Sequence, residues 1–227
     1  MLISFFDTSR QSDAAIAISL HEFLPQIPEE RRAEALRYKS ERRQYDCVKS
    51  FRMLEELLGI SLPAWQVSEH GKPYYEPAVI QSLLSELPET RLSEMQRRLL
   101  ENDGQLHFSL SHCSRAIAVA LSERPVGIDV ETVERHVTEE LVRYTMNNAE
   151  QACIFGHAVD ANRHLSPATT ERFITLWTQK EAYLKMLGTG INSDMKDVLI
   201  NITDNVKLTT TAYPETGVIL SVAEQNA

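Results

Sequence analysis

Asp129 and Glu131 stand two positions apart in Gly127-Ile128-Asp129-Val130-Glu131, and further along the chain reads Trp177-Thr178-Gln179-Lys180-Glu181-Ala182-Tyr183-Leu184-Lys185. Together these stretches offer three carboxylates and a pair of lysines, the set that a magnesium-assisted attack on a diphosphate requires. The apolar residues around Asp129 read as a strand, so both acids project from one side and Val130 from the other. Ile174, Leu176, Trp177, Ala182, Leu184 and Leu187 run through a segment that reads as one helix from Phe173 to Leu187, halting at Gly188-Thr189-Gly190. On it Trp177, Glu181 and Lys185 are four apart and share a face. If that face packs on the strand, Glu181 completes a carboxylate triad and Lys185, one turn on, meets an anionic substrate. Mg2+ suits such a site because it takes carboxylate oxygens and shares its octahedron with phosphates, and Mn2+ accepts the same donors. Each piece also has a plain reading: Asp-x-Glu on a strand arises by chance, and Glu181 with Lys185 makes an ordinary helix-surface pair.

The elements that must position these groups fall into two α+β halves, residues 1–112 and 113–227. Residues 1–6 read as a strand, and Pro28 to Leu58 as helical, with apolar returns at Leu36, Val48, Phe51, Leu54 and Leu58 before Gly59. Val67 to Tyr75 is extended and rich in turn residues. Residues 78–103 form an excursion of two amphipathic helical pieces broken at Pro88, expected to lie on the surface. In the second half, Ala116 to Leu121 and Val126 to Glu131 read as adjacent strands, helices follow, and Val206 to Val222 alternates as closing strands around Pro214.

Composition sets outer limits on function. The 227 residues carry a net charge of -9, which argues against nucleic acid as a partner. Hydrophobic stretches are too short to span a bilayer, and the amino-terminal residues lack a basic leader, so no membrane association and a cytoplasmic setting are expected. Charge is unevenly spread: residues 31–52 amount to +5 and the remainder to -14. That basic stretch is either a solvated helix face or a site for phosphate or an acidic partner. Cys47, Cys113 and Cys153 form no C-x-x-C pair, as reduced structural thiols would not. Cys113 beside His112 invites a nucleophilic reading, but no cysteine-enzyme signature surrounds it, and Cys153 with His157 lacks further zinc ligands.

Two more blocks precede the acidic ones: Gly71-Lys72-Pro73 and His107-Phe108-Ser109-Leu110-Ser111-His112. With them the chain resembles the 4'-phosphopantetheinyl transferases of the surfactin-synthetase-activating (Sfp) type, whose signature runs G-K-P, F-N-x-S-H, G-[IV]-D-[IV]-E and W-x-x-K-E-[AS]-x-x-K. Ser109 stands where the family more often has Asn. The resemblance implies an α+β fold made of a pseudo-twofold pair of halves, with coenzyme A in the seam. It implies Mg2+-dependent transfer of the phosphopantetheine arm from coenzyme A to a serine of an apo acyl or peptidyl carrier protein, with release of adenosine 3',5'-bisphosphate. On this resemblance Asp129, Glu131 and Glu181 are the metal ligands, Glu181 is also the candidate base, and Lys185 lies against the pyrophosphate. Ser111 and His112 would contact coenzyme A phosphates, Gly71, Lys72 and Pro73 would border its adenine end, and Arg37 and Arg43 are singled out among the basic residues for further coenzyme A contacts. Arg143-Tyr144 through Glu150 resembles the family's R-F-F-x-x-x-E segment with one extra residue, and is expected near the docking carrier. A monomer is expected from two pseudo-equivalent halves. Two alternatives remain open: a metal-dependent hydrolase of coenzyme A or another nucleotide diphosphate, and a non-catalytic coenzyme A or carrier-binding module.

Overall fold

The structure, a computed structural model, describes residues 1–156, 165–190 and 195–226. The first part of the chain contributes β1 (Leu2–Asp7), α1 (Asp13–Phe23), α2 (Glu29–Ala35), α3 (Glu41–Leu58), a small hairpin of β2 (Gln66–Val67) and β3 (Pro73–Tyr74), α4 (Pro77–Ser85), α5 (Glu94–Glu101), β4 (His107–His112) and β5 (Ala116–Ser122). The second contributes β6 (Val126–Thr132), α6 (Glu139–Thr145), α7 (Asn148–Phe155), α8 (Pro167–Leu187), β7 (Val206–Tyr213) and β8 (Val218–Gln225). The fold is α+β, as expected.

Two antiparallel sheets of three strands dominate, ordered β1-β5-β4 and β6-β8-β7. In each, the opening strand pairs with the closing one and the penultimate strand takes the far edge. A long helix covers one face of each sheet, α3 in the first and α8 in the second. The halves therefore share one connectivity, the repeat that the pseudo-twofold reading requires.

Alternation along the strands builds the layers. On β5, Ile117, Val119 and Leu121 enter the core beneath α3, while Ala116, Ala118 and Ala120 face the other sheet and meet Val126, Ile128, Val130, Val218, Leu220 and Val222. Both faces of β5 are thus buried. The small alanines let the sheets approach closely.

Several expectations need correction. Pro28 to Leu58 is two helices: no side chain between Ala35 and Tyr45 is buried, so a continuous helix there would gain no packing. The second of them ends as expected at Gly59, in the left-handed region with φ 73. β5 and β6 follow one another but are not partners, because both edges of β5 are already filled by β1 and β4. Residues 123–125 therefore carry the chain from one sheet to the other, and the first sheet extends beyond the 112/113 division. The 78–103 excursion is no surface addition. Ile80, Leu84 and Leu99 are fully buried in the first core, and the Gln96 side chain donates to the Leu58 carbonyl at the end of α3 at 2.7 Å.

Candidate active site

β6 presents its even residues to the sheet-sheet core and its odd residues, Gly127, Asp129 and Glu131, to α8. Gly127 is what allows the helix to lie so close: a Cβ there would sit 2.0 Å from the Ala182 carbonyl oxygen and 2.3 Å from the Met186 nitrogen. Any side chain would lift α8 off the strand. On the other side of β6, the Ser109 and Ser111 hydroxyls of β4 accept hydrogen bonds from the Ile128 and Val130 N–H groups at 3.1 and 3.2 Å. Serines two apart point the same way, so one strand of hydroxyls satisfies the outer edge of the next sheet.

Ser111 then links this edge to the acids. Its hydroxyl donates to Asp129 Oδ1 at 2.8 Å and accepts from Lys185 Nζ at 3.1 Å, while Lys185 also donates to the same Asp129 oxygen at 2.7 Å. With the Val130 N–H, that uses the hydroxyl's full bonding capacity. The sequence reading expected Lys185 to meet an anionic substrate and Ser111 to contact coenzyme A; their joint contact with Asp129 was not anticipated.

Glu181 lies one turn before Lys185, 8% exposed. Its Oε1 is buried without a hydrogen-bond partner among the described residues. Burial raises the proton affinity of this carboxyl above the usual range, the neighbouring Asp129 adds to the effect, and Lys185 and Arg135 oppose it. Glu131 behaves differently. One oxygen accepts from the Thr132 N–H at 2.8 Å and the other pairs with Arg135 at 2.7 Å.

Among the described residues, no group of three or more His, Cys, Asp or Glu side chains is arranged to hold a metal ion. The convergence expected of Asp129, Glu131 and Glu181 is thus not a ready set of ligands: like charges separate when Lys185 and Arg135 are within reach. The donors still suit a hard divalent cation. A positive charge beside Glu181 would answer both its orphaned oxygen and its repulsion from Asp129.

Of the two lysines in the helical motif, only Lys185 faces the acids. Lys180 is fully buried on the far side, donating to Glu150 at 2.6 Å, to the Met195 carbonyl at 2.6 Å and to the Thr145 carbonyl at 3.0 Å. Glu150 also caps the start of α7 through the Asn147 N–H at 2.9 Å. The Arg143 to Glu150 segment, expected on the carrier-facing surface, thus turns its glutamate inward.

A cavity of about 340 Å³ opens between the halves beside this cluster, lined by Gly71, Lys72, Pro73, Ser109, Glu181 and Lys185 among others. The expected Gly-Lys-Pro turn and the α8 site are therefore two walls of one space. Lys72 does not reach into it freely: its Nζ donates to the Met186 carbonyl at 2.6 Å, and burial lowers its pKa to about 8. His112 and Arg43 line a second cavity of about 190 Å³. Crowding by protein lowers the basicity of His112 most, Lys185, Arg43 and Arg42 lower it further, and Asp46 opposes them. Arg37 is not brought there; it stands exposed on the turn between α2 and α3.

Two residues near these spaces were not singled out from the sequence, Arg31 being only one of the eight basic side chains of residues 31–52. Arg31 lines the His112 cavity with its guanidinium 3.6 Å from the Trp65 ring centre. Its signal was the four-residue spacing Ile27, Arg31, Ala35, all buried. Arg135 holds Glu131 and lies 5.0 Å over the Trp177 ring; the four-residue gap from Glu131 was visible but fell beyond the strand, where no helical rule applies.

Cys113 is no nucleophile here. Burial pushes its thiol up to about 11, with Glu131 and Asp129 adding to the rise. At pH 7.5 the exposed Cys153 is expected to react with a maleimide at least about tenfold faster than Cys113, read by peptide mass spectrometry; equal rates would contradict this geometry. His157, the other half of the zinc reading, lies outside the described residues.

Residues 125–224 match the family described as the 4'-phosphopantetheinyl transferase superfamily. Similar proteins include a 4'-phosphopantetheinyl transferase of Bacillus subtilis, 25% identical over 61% of this chain and 47% of the relative. The 4'-phosphopantetheinyl transferase gsp of Aneurinibacillus migulanus is 29% identical over 39% of this chain and 34% of its own. For Sfp of Bacillus subtilis (strain 168) the identity is 27%, over 38% of this chain and 35% of the relative. The chain thus spans about half, or less, of the lengths of these relatives, and the likeness is to the Sfp type.

Proposed function

We propose that this protein moves the 4'-phosphopantetheine arm of coenzyme A onto a serine of an apo acyl or peptidyl carrier protein. The observation that carries the reading is the Ser111, Asp129 and Lys185 cluster beside Glu181, whose Oε1 has no hydrogen-bond partner among the described residues, with Lys185 and Glu181 both lining the cavity between the halves. The carrier serine oxygen would form a bond to the phosphorus that bears the pantetheine arm. The bond from that phosphorus to the adenosine-side phosphate oxygen would break, releasing adenosine 3',5'-bisphosphate.

Displacement at phosphorus needs little covalent help and much charge neutralisation. Lys185 supplies a cation that can exchange its Asp129 contact for a diphosphate oxygen. Glu181, whose proton affinity is raised by burial, is suited to accept the serine proton directly or through a water. Mg2+, or Mn2+ in its place, would be held by Asp129 and Glu181 with Glu131 and would neutralise charge on the diphosphate oxygens. Ser111 and His112 would face coenzyme A phosphates, Gly71 and Pro73 would border the adenine, and Arg43 is better placed than Arg37 to assist. A monomer working in a reducing cytoplasm is the proposed setting, supported by three free cysteines. Among the described residues no helix is long and apolar enough to cross a membrane.

The test is direct. With Mg2+, coenzyme A and a panel of apo carriers, at least one carrier should gain the mass of one phosphopantetheine arm by intact-protein mass spectrometry. Release of adenosine bisphosphate without any carrier would replace transfer with hydrolysis, and coenzyme A binding without either product would leave a binding module.

A further inference from the structure

We infer that Lys72 is a positioning residue: it is a strut that ties the β2-β3 hairpin to the last turn of α8, and its ammonium does not itself contact the substrate. The inference rests on the transferase reading only for which ligand occupies the cavity. Its geometry stands apart.

The backbone of Lys72 is fixed at both polar groups. Its N–H donates to the Ser68 hydroxyl at 3.0 Å, and its carbonyl accepts from the Ser68 N–H at 2.9 Å. From this anchored turn the side chain crosses to the other half of the molecule. Its stem lies against Gly188, where an added Cβ would be 2.8 Å from Lys72 Cδ. Its Nζ ends on the Met186 carbonyl at 2.6 Å.

That carbonyl belongs to the last turn of α8, where main-chain oxygens lack helical partners and the helix dipole is negative. A lysine donor satisfies the oxygen and the dipole together. Gly188 closes the same turn with φ 73 and donates its N–H to Leu184 at 2.9 Å. Lys185, the residue next to Met186, holds Asp129. Fixing Met186 therefore fixes the register of Lys185 against β6, across a seam that no β-ladder among the described residues bridges.

Lys72→Met keeps the apolar stem and deletes only the donor. In the free protein, amide exchange at residues 186–188 is expected to rise about tenfold over wild type, while amides of Gly127 to Val130 keep their rates. Lys72→Arg, which retains a donor, should restore protection to within about threefold. For coenzyme A, Lys72→Met should raise KM about three- to tenfold, yet the slope of log KM on log salt should equal that of wild type, whereas a lost phosphate contact would change it by about one. A changed slope, or exchange at 186–188 that stays at the wild-type rate, overturns the proposal. Should wild type transfer nothing, the functional reading falls, and the exchange comparison still decides the strut.

Discussion

Asp129→Asn is expected to lower carrier modification about a thousandfold, the loss typical of removing one preorganised electrostatic group at a reacting centre. The wild-type carboxylate accepts from both Lys185 and Ser111 on a single oxygen. An amide in its place carries no charge to orient the lysine or to face a cation. The fold should survive, because the Lys185 side chain is 32% exposed and can turn to water when its partner is neutral. The pairing of measurements matters: phosphopantetheine gain by mass spectrometry beside thermal unfolding. A variant that keeps more than about a tenth of the activity would remove Asp129 from the proposed chemistry.

Lys180→Met should act through stability instead. Removing the ammonium leaves the Glu150 carboxylate, with only 10% of its side chain exposed, facing a gap where its cation stood. Breaking a buried pair in this way costs about 3–5 kcal/mol, and for a chain of this size about 10 °C in Tm. Two carbonyls, of Thr145 and Met195, lose their donor as well. Adding Glu150→Gln should recover a good part of the loss, since it removes the uncompensated charge but not those orphaned oxygens. A shift below about 3 °C in the single variant would mean that the pair is solvated and contributes little.

What could be read in advance was local. Alternation placed Asp129 and Glu131 on one side of a strand, apolar spacing and Gly188 ended α8 at Leu187, and the paired closing strands around Pro214 stand as expected. What could not be read depends on partners distant in the chain. Asp13–Phe23 was missed as a helix because its short run of alanines and isoleucines shows no strong face. The burial of Ile80, Leu84 and Leu99 depends on the end of α3 lying nearby, and the pairing of Glu131 with Arg135 on how the chain turns after β6. Lys180 was grouped with Lys185 by proximity in sequence, yet residues five apart on a helix point in different directions.

The pairing of each opening strand with its closing strand also governs how the protein can assemble. Leu2 is in register with Leu121, so during vectorial synthesis this strand waits, with Phe5 and Phe6 unsheltered, until the ribosome has delivered just over half of these 227 residues. Such long-range closure slows folding and lengthens the time in which sticky segments meet chaperones or one another. The seam that holds the acids is accordingly a late product of biogenesis.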